Sequence, residues 1–284
     1  MKKFALLLLG LTLAFSCVGC GSKNESAADA VVADETEAGN DEVAADAETE
    51  SSDAEEADTT ADTSEDVKSE GVMTYEEYVA ADLDAEVVIE AYVQAKQSWW
   101  DDKATVYTQD KDGAYFLYNM TCSEEDYEKL TIGTKIKVTG YKAEWSGEVE
   151  IVDATFEIED GNYVAEAEDV TSLLGSDDLI NYQNKFVAFK GMTVEAAGQD
   201  DEGNDVAFLY SWDGSGQDGD DLYFNVSIDG ATYTFTVESY LCDNTTDVYA
   251  AVKALNIGDT IDMEGFLYWY EGVNPHITSV TAAN

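Results

Sequence analysis

Apolar and polar residues alternate through most of the chain, and the alternation is written twice. Val87, Ile89, Ala91 and Val93 interleave with Val88, Glu90, Tyr92 and Gln94. That is the period-two signature of a strand with one buried face. Ala104–Thr108 and Ala114–Asn119 flank Asp110-Lys111-Asp112-Gly113, a hairpin turn. Lys135–Glu144 and Glu148–Ile158 form a further strand pair, joined at Ser146-Gly147. Two short helices interrupt the pattern. Thr74-Tyr75-Glu76-Glu77 is a capping box opening a helix to about Ala81, and Ser123 caps another that ends near Leu130.

The second copy is easiest to see at the end of the unit. Ile132-Gly133-Thr134-Lys135-Ile136 is echoed by Ile257-Gly258-Asp259-Thr260-Ile261, and the match continues without a gap. Gly140 pairs with Gly265, Trp145 with Tyr270, Gly147 with Gly272, and Ile151 with His276. Self-similarity on this scale means two copies of one supersecondary unit. The second copy predicts strands at Phe186–Glu195, Leu222–Ile228, Thr232–Val237, Thr260–Trp269 and His276–Thr281, with a helix from Asn244 or Thr245 to about Leu255. It carries an insertion over about 197–221, which reads as an extra hairpin with an acidic, Gly-rich tip.

Strand, strand, strand, helix, strand, strand resembles the OB-fold, a five-stranded Greek-key barrel. The predicted architecture is therefore all-β with short helices: two tandem five-stranded OB-like barrels, over 71–162 and 163–284, behind a disordered tether. In that fold the loops after strand one and between strands four and five flank the ligand face.

The N-terminal region changes the picture. Met1-Lys2-Lys3 and the apolar run Phe4–Phe15 have the layout of a secretory signal, too short to span a bilayer. The following Cys17-Val18-Gly19-Cys20 resembles the lipobox of bacterial lipoproteins, with Cys17 where Leu is usual. The resemblance implies a signal peptide over 1–19, a lipid on Cys20, and an extracytoplasmic protein anchored to a bacterial membrane. Residues 20–70 lack aromatics after Cys20 and are dominated by Ala, Glu, Asp, Ser and Thr. Such a segment cannot bury enough apolar surface to offset its ordering entropy, and reads as a disordered tether.

Charge narrows the partners. The chain has a formal net charge of −47, with fourteen basic residues, all lysine. OB-folds that bind single strands combine stacking with a basic groove, so the charge predicts no nucleic-acid partner. Apart from Cys17 and Cys20, only Cys122 and Cys242 are present, and both read as small buried residues rather than a disulfide.

The candidate ligand residues are aromatic. Trp99, Trp100 and Trp212 fall between the first and second strands of their units, and Trp145 and Trp269 at the turn between the fourth and fifth. With Tyr268 and Tyr270 they could form stacking platforms for a glycan or a protein, or pack as a lid. The alternative is a structural, envelope-assembly role with packed aromatics. No cofactor is expected; calcium is possible at Asp213, Asp218, Asp220 and Asp221, although the spacing is not an EF-hand. Catalysis has little basis. The one histidine, His276, sits beside Pro275 at a strand start, and no nucleophile, zinc or phosphate-loop motif occurs. The sequence predicts a non-catalytic binding protein.

Overall fold

The computed structural model describes residues 68–283; the expected signal peptide, Cys20 and most of the acidic spacer lie outside them. The described residues belong to one compact unit. Helix α1 (Tyr75–Ala80) opens with the predicted capping box, Thr74 and Glu77 each bonding the other's backbone N–H. The first barrel is β1 (Glu86–Lys96), β2 (Lys103–Gln109), β3 (Ala114–Thr121), β4 (Thr134–Trp145) and β5 (Glu148–Asn162), with α2 (Glu124–Lys129) between β3 and β4. It closes in the order β1-β2-β3-β5-β4, with β3 and β5 parallel.

A short β6 (Glu168–Asp169) leads into β7 (Phe186–Glu195). The insertion then supplies a small hairpin, β8 (Gly198–Gln199) with β9 (Asp205–Val206), and β10 (Phe208–Tyr210). The second barrel is completed by β11 (Leu222–Ile228), β12 (Ala231–Val237), α3 (Asp247–Lys253), β13 (Thr260–Phe266) and β14 (His276–Ala282). Here β7 bonds to both β11 and β13, while β12 and β14 run parallel, so this ring closes as the first does. The protein is two tandem OB-type barrels, and β10 extends the sheet of the second beside β11.

Alternation places the cores. Val87, Ile89, Val106, Leu117, Ile136, Val138 and Ile151 fill the first barrel. Val187, Phe189, Phe224, Phe235, Met263 and Ile277 fill the second. The paired glycines of the repeat have a common cause. Pairing of β4 with β5 slips at Gly140, and pairing of β13 with β14 slips beside Gly265. At each bulge the neighbouring strand lies against the glycine. A Cβ at Gly140 would stand 2.6 Å from the Ile151 side chain, and one at Gly265 would overlap the His276 carbonyl. Only glycine lets the chain bend there.

Two elements are shorter than expected. Helix α3 starts at Asp247 because Asp243 first organises a turn, accepting from the N–H and hydroxyl of Thr245. Strand β13 stops at Phe266 because Leu267 turns to the Lys185 carbonyl.

Candidate functional site

The two copies of the repeat touch each other through equivalent turns. Ser146 and Glu271, paired in the repeat, both adopt positive φ, and the Glu271 N–H donates to the Ser146 carbonyl at 2.7 Å. Trp145 lies against Tyr270 with ring centroids 5.1 Å apart, and the Trp269 ring covers Gly147. The aromatics at these turns are therefore occupied in a joint between the barrels.

The joint continues inward. Tyr107 and Phe116 lie on the outer face of the first barrel yet are buried, because Phe266 of the second packs on them. Tyr107 stacks on Phe266 at 4.4 Å, and its hydroxyl shares a 2.7 Å hydrogen bond with His276 Nδ1. Burial holds His276 neutral, with its pKa pushed down to about 3. Tyr268 stacks on the face of His276 at 4.3 Å. Polar links complete the seam: Phe186 N–H to Gln109 Oε1 at 2.8 Å, Asn184 Nδ2 to the Val149 carbonyl at 3.0 Å, and Ser98 N–H to the Tyr240 carbonyl at 2.7 Å.

Beside this seam a cleft of about 570 Å³ opens between the barrels. The first barrel contributes Trp100, Lys103, Phe116, Tyr118 and Asn119 to its lining, and the second Glu238, Tyr240, Tyr268 and His276. Trp100 is held at the rim by a tight turn. Asp101 and Asp102 both adopt left-handed conformations, and Trp100 and Lys103 exchange backbone hydrogen bonds. Short Asp side chains tolerate that backbone. Trp99 faces the other way, its indole N–H bonding the Cys122 carbonyl at 2.9 Å. Trp100 is 60% exposed, Tyr240 66% and Tyr118 45%. Glu238 is buried at the cleft wall, accepting from the Tyr240 and Leu241 N–H groups. Burial, and then Asp221 nearby, raise its pKa to about 7.

The candidate residues thus divide. Trp100 and Tyr268 meet in the cleft; Trp145, Trp269 and Tyr270 hold the joint; Trp99 packs inward; and Trp212, in the insertion and 76% exposed, lines a separate shallow pocket with Tyr270. The four aspartates of the insertion are not gathered. Asp213 accepts from Ser215, Asp218 is held by Lys253 and Asn244, Asp220 accepts from Gln217, and Asp221 accepts from Ser239. Among the described residues no three His, Cys, Asp or Glu side chains are placed to share a metal ion. Cys122 and Cys242 are both free and buried. Sequence reasoning missed Tyr118, Tyr240 and Glu238. The available signal was Tyr118, at a β3 position where the outward face should be polar; Tyr240 lies in the turn after β12 and had none.

No family model and no curated protein matches this sequence. Solved structures do show likeness. One is described as a murine DNA-binding protein bound with double-stranded DNA: 10% identity, TM-score 0.33, covering 69% of this chain and 96% of that one. Another is the Ifi202 HINa domain in complex with 20-base-pair double-stranded DNA: 10% identity, TM-score 0.32, covering 70% and 100%. A third is a replication protein A heterotrimer bound to single-stranded DNA: 12% identity, TM-score 0.30, covering 70% and 49%.

Two expectations are corrected here. Charge predicted no nucleic-acid partner, whereas structures described as DNA complexes stand among the neighbours. The expectation of a glycan or protein held on aromatic loops at the pole of each barrel also falls. Trp145 and Tyr270 at the β4–β5 and β13–β14 turns pack on each other while staying 53% and 46% exposed, so the two turns form one shared joint instead of a separate ligand pole on each barrel.

Proposed function

We propose that this chain is a binding protein, not an enzyme, and that its site is the inter-barrel cleft. The cleft takes a flat, hydrogen-bonding ring, such as an unpaired nucleobase. The observation that carries this reading is the convergence of exposed Trp100 and Tyr240, one from each barrel, on one cleft. Stacking a base on an aromatic face is worth about 1–3 kcal/mol and tolerates any base. Gln97, Asn119 and Glu238 supply amide and carboxyl groups for the ring edge. Lys103 is the one basic residue lining the cleft, so phosphates have no basic track to follow. Affinity should then hold steady or rise with salt, as screening weakens repulsion from the acidic chain, instead of falling as it does when phosphates dominate. Catalysis gains no support from the cleft, because its one histidine is buried, neutral and hydrogen-bonded to Tyr107.

The test is tryptophan fluorescence during titration with a ten-nucleotide oligothymidylate at two salt concentrations. The reading expects saturable quenching that is lost in Trp100→Ala/Tyr240→Ala while stability is retained. Absence of quenching, or equal quenching in the double variant, overturns it.

The address belongs to the same reading. The basic start, the apolar run and Cys17-Val18-Gly19-Cys20 support export and lipid attachment at Cys20. Cys20→Ser should release the protein from membranes into the soluble fraction; unchanged membrane retention would contradict this.

A further inference from the structure

Glu148 begins β5 on the first barrel and is fully buried under the second. Its Oε2 accepts the Trp269 N–H at 2.9 Å and the Gln183 amide at 3.2 Å, both from the second barrel. Its Oε1 has no partner. Beside it, the Asn184 side chain lies within hydrogen-bonding reach, and Asn184 Oδ1 is also buried without a partner. The Asn184, Trp269 and Gln183 N–H groups favour the charged form, but burial outweighs them, and a buried Oε1 without a partner is a poor place for a carboxylate. The unpartnered Oε1 suits a carboxylic acid, whose O–H removes the need to solvate a charge there.

The charges around Glu148 agree. Glu150 on β5, Tyr78 on α1, Tyr107 on β2, and Tyr268 after β13 face it, with Glu238 beyond Tyr107 and Tyr268. None is a cation. Lys142, on β4, has its ammonium on the Tyr78, Val79 and Ala81 carbonyls. Burial, the largest influence, raises the Glu148 pKa to about 8.

We propose that Glu148 is a proton-operated latch: its neutral acid closes the joint between the barrels, and its ionisation admits water there and loosens the cleft wall. The link to the cleft is short. Glu148 holds the backbone of Trp269, and the preceding Tyr268 is a cleft wall stacked on His276. A carboxylate with an oxygen lacking any donor, and no cation, must be hydrated. Hydration disturbs the groups that hold the carboxyl, the Trp269 N–H among them. The consequence for ligand rests on the cleft reading above; the latch itself does not. Glu148 is a positioning residue.

The experiment measures hydrogen-exchange protection of the Trp269 and Glu271 amides from pH 6 to 9.5, corrected for intrinsic rate, on the whole chain without ligand. The wild type should lose protection at least tenfold, centred near pH 8, while Glu148→Gln, a permanent neutral mimic, stays flat. The carboxyl carbon resonance of Glu148 in the wild type, followed by NMR, gives a second reading that needs no variant. Flat protection in the wild type, an equal loss in Glu148→Gln, or a carboxyl midpoint near 4.5 would each overturn the latch. Oligothymidylate titration over the same pH range then reports the cleft. Affinity that does not follow the joint, when the joint itself opens, counts against the coupling and leaves the latch standing.

Discussion

Removing one oxygen atom from Tyr107 should weaken the association of the two barrels measurably. Tyr107 is fully buried, and its hydroxyl is the partner found for His276 Nδ1. In Tyr107→Phe the ring stack on Phe266 stays, but the hydrogen bond goes and a ring nitrogen is left buried without a partner. A net hydrogen bond contributes about 0.5–1.5 kcal/mol, and an orphaned buried polar group costs about 1–3 kcal/mol. We expect a loss of about 2 kcal/mol, toward the upper end of a 5- to 30-fold shift in the folding equilibrium. The control is His276→Phe, which keeps a ring on Tyr268. In that background the hydroxyl of Tyr107 is itself the orphan, so adding Tyr107→Phe should cost under about 0.5 kcal/mol or restore some stability. Urea unfolding, followed by tryptophan fluorescence and far-ultraviolet circular dichroism, gives all four stabilities. One transition reported alike by both probes is expected of the wild type, because the barrels share a buried seam. Equal cost of Tyr107→Phe in both backgrounds, or no cost in either, would refute the role given to this pair.

Other expectations follow from the same contacts. Gly265→Ala should destabilise more than Gly140→Ala in urea unfolding, because backbone crowds the first at 2.2 Å, whereas at the second the nearest atom is a side-chain methyl at 2.6 Å and the nearest backbone atom, the Val152 carbonyl, is at 2.9 Å; overpacking costs about 1–3 kcal/mol, and the reverse order would contradict the bulge account. Stability should also fall as pH rises. Glu148 keeps its proton to about pH 8 and Glu238 to about pH 7, against 4.5 for a solvated carboxyl. Within that window the folded chain binds more protons than the unfolded one, so stability declines with pH and the contribution levels off above about pH 8. For Glu148 the full span is about 5 kcal/mol at 1.36 kcal/mol per unit. Glu148→Gln should therefore gain on the wild type between pH 5 and pH 9 in urea midpoints, and a constant difference would contradict it.

How much could be read beforehand depended on which face of a strand was involved. Alternation marks the face that fills a barrel, so Val87, Ile89, Val106 and Ile151 were legible as core, and the paired Gly140 and Gly265 marked where both barrels bend. The outer face was a different matter. Tyr107, Phe116, Glu148 and His276 belong to surfaces that are buried only because a second barrel covers them. One trace of this exists: Ala114-Tyr115-Phe116-Leu117 is a continuous apolar run, the pattern of a strand buried on both faces. The aromatic turns were found in the sequence, but their direction was not. Trp145 and Tyr270 occupy equivalent places in the repeat, and nothing local says that equivalent turns meet. The cleft was half legible: Trp100 stood out, and its facing by Tyr240 needed the relative placement of the two barrels.

The most direct measurement of the central claim is a hydrogen-exchange footprint of bound oligothymidylate. The cleft account predicts protection at Gln97–Lys103 of the first barrel together with Glu238–Leu241 of the second. Protection on one barrel alone, or confined to the insertion around Trp212, would contradict it.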